Sequence, residues 1–177
     1  MTCIVGLVHK NKVWVGGDSA GVNARELKIR PRADEKVFKN GDFIIGIAGS
    51  FRMGNVLRYS LDIPKFSGKD VRKFMSNDFI EATRKAFVDG QVVSNSTEAF
   101  PGVFIVGYKD NLFTVQADYQ VAVHENGFDA VGCGEAYALG ALRSSTRRNP
   151  EKKVLEALMA AEEFSGGVQR PFRILHT

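Results

Sequence analysis

Thr2-Cys3-Ile4-Val5-Gly6-Leu7-Val8-His9 is short, apolar and rich in β-branched residues. It reads as a buried strand. Lys10-Asn11-Lys12 follows as a tight turn, and Val13-Trp14-Val15-Gly16-Gly17-Asp18-Ser19 reads as a second strand. A turn this short joins antiparallel neighbours, so residues 2–19 form a hairpin.

The pattern continues outward from that hairpin. Residues 20–35 are polar, contain Pro31 and read as a loop. Lys36-Val37-Phe38 is a short strand, Asn40-Gly41-Asp42 a turn, and Phe43-Ile44-Ile45-Gly46-Ile47-Ala48 a further strand. Gly49-Ser50 ends it, and a helix is expected from Phe51 to about Leu61. A second helix is expected from about Lys69 to Val88. There Val71, Met75, Phe79, Thr83 and Phe87 recur at fourfold spacing as a core-facing stripe. Strands return at 103–108, 112–115, 119–123 and 128–131. Glu135 to about Ser145 is rich in Ala and Leu and reads as helix. Asn149 as N-cap, Pro150 at the first helical position and Glu151 in the first turn start another, which runs to about Phe164. Ser165-Gly166-Gly167 stops it, and Pro171 to Leu175 reads as a last strand. Strands, two helices, strands, two helices and a strand make an α+β chain. That order suits two stacked antiparallel sheets with helices outside, not a βαβ parallel fold. No linker or repeat interrupts it, so residues 1–177 are expected to form a single domain.

Composition narrows the function classes. Hydrophobic residues make up 44% of the 177 residues and charged residues 25%, which suits a globular chain with one sizeable core. The net charge is +4. Arg143, Arg147, Arg148, Lys152 and Lys153 are the densest basic stretch. Without stacking aromatics among them they read as a solvated turn between helices, and no nucleic-acid partner is expected. Cys3 and Cys133 form no CxxC pair, and His9, His124 and His176 are scattered. Neither zinc nor any other metal or cofactor is expected. No apolar run is long enough for a membrane span, and the start lacks a secretory pattern, so a cytoplasmic location is the expectation.

Four features could assemble chemistry. Thr2 stands directly behind Met1. If Met1 is removed, Thr2 carries a hydroxyl nucleophile and, in its own α-amine, a base with an ordinary pKa near 8. Many chains begin Met-Thr, so this alone says little. Asp18 closes the second strand and Lys36 opens the third; a buried pair of these would favour hydroxyl deprotonation nearby. Gly49, in Gly46-Ile47-Ala48-Gly49-Ser50, could offer a backbone N–H to an oxyanion. Singly, each is more often a turn or a surface charge.

Together, Met-Thr-Cys-Ile-Val-Gly, Val-Trp-Val-Gly-Gly-Asp-Ser, Glu-Lys-Val-Phe, Ile-Gly-Ile-Ala-Gly-Ser and Val-Gly-Cys-Gly-Glu-Ala-Tyr-Ala resemble the proteasome β subunits and the bacterial HslV peptidase, in order, spacing and length. The resemblance covers residues 2 to about 165. It implies a four-layer αββα sandwich, the N-terminal-nucleophile (Ntn) hydrolase fold. It implies threonine-type cleavage of polypeptide substrates, with Thr2 as nucleophile, Lys36 and its partner Asp18 in support, and Gly49 at the oxyanion. Ile47, Ser50 and Phe51 fall at the pocket for the side chain preceding the scissile bond, which is expected to be apolar. The resemblance further implies self-association into sheltering rings and an ATP-dependent unfoldase partner.

Two departures stand out. The family's serine in Gly-Ser-Gly is Cys133 here, larger and a weaker hydrogen-bonder. The family's Asp-x-x-Ser-Gly corresponds to Glu162-Glu163-Phe164-Ser165-Gly166, so Glu162 replaces the aspartate and Ser165 keeps the serine. Two other readings stay open: an inactive ring-forming homologue, and an Ntn hydrolase of small amides.

Overall fold

The computed structural model describes residues 1–23, 25–26 and 28–177. The first hairpin pairs β1 (Ile4–His9) with β2 (Lys12–Gly17) in antiparallel register, Ile4 opposite Gly17 and His9 opposite Lys12. Lys10 and Asn11 turn it with φ of 48° and 60°, the left-handed pair that a two-residue hairpin of native twist requires. Asp18 and Ser19 lie beyond the strand rather than in it. β10 (Phe128–Val131) flanks β1, and β11 (Arg173–His176) flanks β2, giving the order β10-β1-β2-β11. Thr177 closes this edge: its N–H donates to the Val13 carbonyl and its hydroxyl to the Lys109 carbonyl.

The second sheet has the order β5-β6-β7-β8-β9, built from Val37–Asn40, Phe43–Gly49, Gly102–Tyr108, Asn111–Val115 and Val121–Ala122. Two-residue periodicity sorts its side chains. Val37, Ile44, Ala48, Ile105 and Leu112 meet Ile4, Val13 and Val15 of the first sheet. Phe38, Phe43, Ile45, Ile47, Phe104, Val106, Phe113 and Val115 face the other way. There they pack against α1 (Phe51–Tyr59) and the long helical segment formed by α2 (Val71–Phe74), a π-turn (Met75–Phe79) and α3 (Ile80–Asp89). On the far side of the first sheet, Cys3, Val5, Leu7 and Ala130 pack under α4 (Glu135–Ser144) and α5 (Pro150–Phe164). The layers therefore run helix, sheet, sheet, helix. Phe38, Phe79, Phe87, Phe104 and Phe113 are fully buried; burying each such side chain stabilises the fold by about 1.5–3 kcal/mol. No helix among the described residues is long and apolar enough to cross a membrane.

Three elements differ from the sequence expectation. Residues 20–35 are not simply a loop: β3 (Ala20–Asn23) and β4 (Lys28–Pro31) form a separate two-stranded ribbon. Every residue of β4 is exposed, so no apolar alternation betrays it, and Pro31 is tolerated on a strand with a free edge. The helix over 71–89 is interrupted by the π-turn. Four-residue spacing overshoots the 3.6-residue turn, and one wide turn brings Met75 and Phe79 back onto the core face. The strand expected at 119–123 shrinks to Val121–Ala122, because Tyr119 has φ of 67° and turns the chain. The N-cap of α5 is as expected: the Asn149 side chain accepts from the Lys152 N–H at 3.0 Å.

Candidate active site

β1 and β2 leave the sandwich at the same end, so Thr2, just before β1, lies beside Asp18, just after β2. Asp18 is 2% exposed and Lys36 3%. The Lys36 ammonium donates to both Asp18 oxygens at 2.9 and 3.0 Å. Asp18 also accepts backbone N–H bonds from Cys3 at 2.9 Å, Ala20 at 2.8 Å and Gln169 at 3.4 Å. Its charge is thus held by four donors, which is how a carboxylate survives burial. Burial pushes the Lys36 pKa below the ordinary lysine value, and the charge and hydrogen bond of Asp18 oppose that shift.

The pair points at the peptide joining Met1 to Thr2. Lys36 Nζ lies 3.3 Å from the Met1 carbonyl oxygen, and the Thr2 hydroxyl donates to the same oxygen at 2.5 Å. Thr2 itself is 4% exposed. Its N–H donates to Cys133 Sγ at 3.2 Å, and Ser165 Oγ donates to the same sulfur at 3.3 Å. Cys133 therefore touches the atom that would become the α-amine, and Ser165 in turn touches Cys133. The Met1 side chain, half exposed, rests against Gly167.

Gly132 and Gly49 frame the site. Gly132, at φ 100°, lies so close to the Thr2 carbonyl that any side chain would collide with it. Gly49, at φ 135°, is exposed at the end of β6; a Cβ there would stand 2.5 Å from the Pro101 carbonyl oxygen and 2.6 Å from Gly102 Cα. Both obstacles are backbone. Gly49→Ala is expected to destabilise the chain by about 1–3 kcal/mol, read as a lower denaturation midpoint.

The remaining expected residues divide. Ser50 is the N-cap of α1, accepting from the Met53 N–H at 3.3 Å. Ile47 is 4% exposed and packs against Gly54 of α1, in the core under the site. Phe51 is half-buried on the edge of an open cleft, but its surroundings are not purely apolar: the Arg32 guanidinium stacks over its ring at 4.0 Å. Glu162 engages Arg170. Its carboxylate accepts from the Arg170 N–H at 2.7 Å and from the Arg170 guanidinium. That hydrogen-bonded guanidinium holds its pKa below the usual carboxylate value. Glu162 thus fastens the turn that brings the Gln169 N–H to Asp18. Sequence reasoning missed the backbone donors of Ala20 and Gln169, since nothing in a residue's identity marks where its N–H points.

The two thiols differ. Cys3 is buried, and desolvation, reinforced by Asp18, pushes its pKa up to about 12. Cys133 is exposed. A disulfide reagent such as Ellman's is expected to titrate one thiol in the native chain at pH 8, and both after denaturation.

No group of His, Cys, Asp and Glu side chains among the described residues could hold a metal ion. No family model matches the chain. Solved structures do. BPH from Thiobacillus denitrificans in complex with epoxomicin aligns with a TM-score of 0.81 at 19% identity, over 99% of this chain and 97% of that one. Eukaryotic HslV from Trypanosoma brucei aligns at 0.71 and 19% identity, over 98% of each chain. The Anbu (Gly-1) mutant from Hyphomicrobium sp. strain MC1 aligns at 0.68 and 14% identity, over 98% of this chain and 80% of that one. The chain thus has the αββα sandwich fold of the proteasome- and HslV-type Ntn hydrolases.

Proposed function

We propose that this protein is a threonine peptidase whose nucleophile, Thr2, is released by removal of Met1. The observation that carries this reading is the convergence of a buried Asp18–Lys36 pair, the Thr2 hydroxyl and the exposed Gly49 on one end of the sandwich.

Once Met1 is gone, Thr2 N is a free amine. That amine takes the hydroxyl proton as Oγ1 attacks the scissile carbonyl carbon, and the oxyanion forms toward the Gly49 N–H. The Lys36 ammonium, which bonds the same Met1 carbonyl oxygen as the hydroxyl, lowers the cost of the alkoxide, and Asp18 fixes Lys36 in place. The amine returns its proton to the leaving nitrogen, the peptide bond breaks, and an ester remains on Thr2. Water, deprotonated by the same amine, then hydrolyses the ester. Cys133 orients the amine in place of a serine hydroxyl, and Ser165 supports Cys133.

The reading includes assembly. Tyr137, Met159 and Phe164 are exposed on the outer helices, with the Tyr137 and Phe164 rings 5.6 Å apart. An apolar helix face of this kind suits packing against a second copy in a ring. An ATP-dependent unfoldase would then feed polypeptide to the enclosed sites.

A second reading is an inactive scaffold, favoured by the engagement of Glu162 with Arg170. Intact mass combined with an epoxyketone label separates the two. A processed chain, one methionine lighter, that gains the mass of one label on Thr2 and cleaves fluorogenic peptides is the expected result. A chain that keeps Met1 in its native host and takes no label overturns the peptidase.

A further inference from the structure

The β3–β4 ribbon and Phe51 enclose an open cleft of about 570 Å³. It shares no lining residue with Thr2, Asp18, Lys36 or Gly49, but its walls adjoin those residues along the chain. β3 starts at Ala20, whose N–H is bonded to Asp18; the Arg32 N–H donates to the Ser19 carbonyl at 2.8 Å; and Phe51 is two residues past Gly49. Phe51 and Val22 supply apolar lining.

The cationic lining is periodic. Strand alternation places Lys28 and Arg30 on one face of β4, and Arg32 continues the row. All three line the cleft, against one carboxylate, Glu26. Lys28 is paired with Glu26 at 2.9 Å, and Arg32 with Asp34 through Nε at 2.7 Å and Nη2 at 2.5 Å. Arg30 has no carboxylate partner among the described residues. A row of cations beside an aromatic face, one of them without a counter-ion, offers a carboxylate a charge-assisted partner and its methylene stem an apolar surface.

We propose that this cleft selects substrates carrying an Asp or Glu side chain on the N-terminal side of the scissile bond, with Arg30 and Arg32 as the specificity-determining residues. The inference rests on the peptidase reading above. The substrate carboxylate is bound by Arg30, while Arg32, held over Phe51 and neutralised in part by Asp34, walls the cleft and repels lysine and arginine side chains.

The test is a fluorogenic library varied at the three positions before the scissile bond, run on the Met1-processed full chain, with active sites counted by epoxyketone labelling of Thr2. The acidic members are expected to exceed the basic ones in kcat/KM by about tenfold or more at one of these positions. In the double variant Arg30→Glu, Arg32→Glu, that ratio is expected to invert per labelled site. In the unmodified chain, raising the salt concentration from about 0.05 to about 0.5 M is expected to shrink the ratio severalfold, because the cations are exposed and screened. The salt series stands even if the double variant does not fold. Labelled, active chain with no acidic preference, or with a preference that both salt and charge reversal leave intact, overturns the inference while leaving the peptidase standing. A chain that takes no label and cleaves no member overturns both.

Discussion

Thr2→Ala is expected to reduce peptide hydrolysis by about 10⁴-fold or more in the processed chain, with the fold retained. The substitution removes the hydroxyl and the γ-methyl and leaves Cβ in place. Its structural cost is the buried methyl, worth about 1 kcal/mol, and, in the unprocessed chain, about 1 kcal/mol more for the hydrogen bond from Oγ1 to the Met1 carbonyl. Processing removes even that partner. The chemical cost is complete, because no other hydroxyl is placed both beside Lys36 and on the residue that supplies the amine. Thr2→Ser is the matched control: it keeps nucleophile and amine and should retain measurable turnover. Steady-state hydrolysis of a fluorogenic peptide, with denaturation midpoints alongside, reads both effects. Full activity in the processed Thr2→Ala chain would sink the mechanism.

Breaking the Asp18–Lys36 pair has the largest expected effect on stability, and the two halves are unequal. Without Lys36, Asp18 keeps three backbone donors, from Cys3, Ala20 and Gln169. Without Asp18, the Lys36 ammonium keeps one distant carbonyl, that of Met1, in a site from which water is excluded. Asp18→Ala is therefore expected to cost about 3–5 kcal/mol, and Lys36→Met, which fills the same space with an apolar chain, roughly half of that. Urea denaturation of the two variants measures the difference. Equal losses would contradict the asymmetry. Both variants should be nearly inactive, so stability and not activity separates them.

How far the sequence spoke depended on whether a residue's role is local. The β1–β2 hairpin, the Asn149 cap and the succession of strands and helices along the chain were legible because turns, caps and alternation act over a few residues. The two-sheet α+β architecture followed from them. The ribbon was not legible, since strands without a core face carry no apolar period. Nor was the π-turn, whose wide hydrogen bonding leaves the stripe of apolar residues intact. At the site, Thr2, Asp18, Lys36 and Gly49 were picked out by resemblance; their burial and mutual distances come from strands far apart in sequence. The partner of Glu162 was not legible for a related reason. Arg170 lies beyond the glycine turn, and only the folded turn brings the two together.

The ribbon has one more consequence. β3 and β4 hydrogen-bond only to each other as a sheet, and no side chain of β4 enters a core cluster. The cleft's wall is therefore a module whose residues can be exchanged at little cost to folding, while the parts that bind the nucleophile stay fixed. Selectivity in this chain can drift under selection, or be rewritten by design, independently of the scaffold. A library confined to residues 28–32 would explore new preferences without spending the stability that the sandwich supplies.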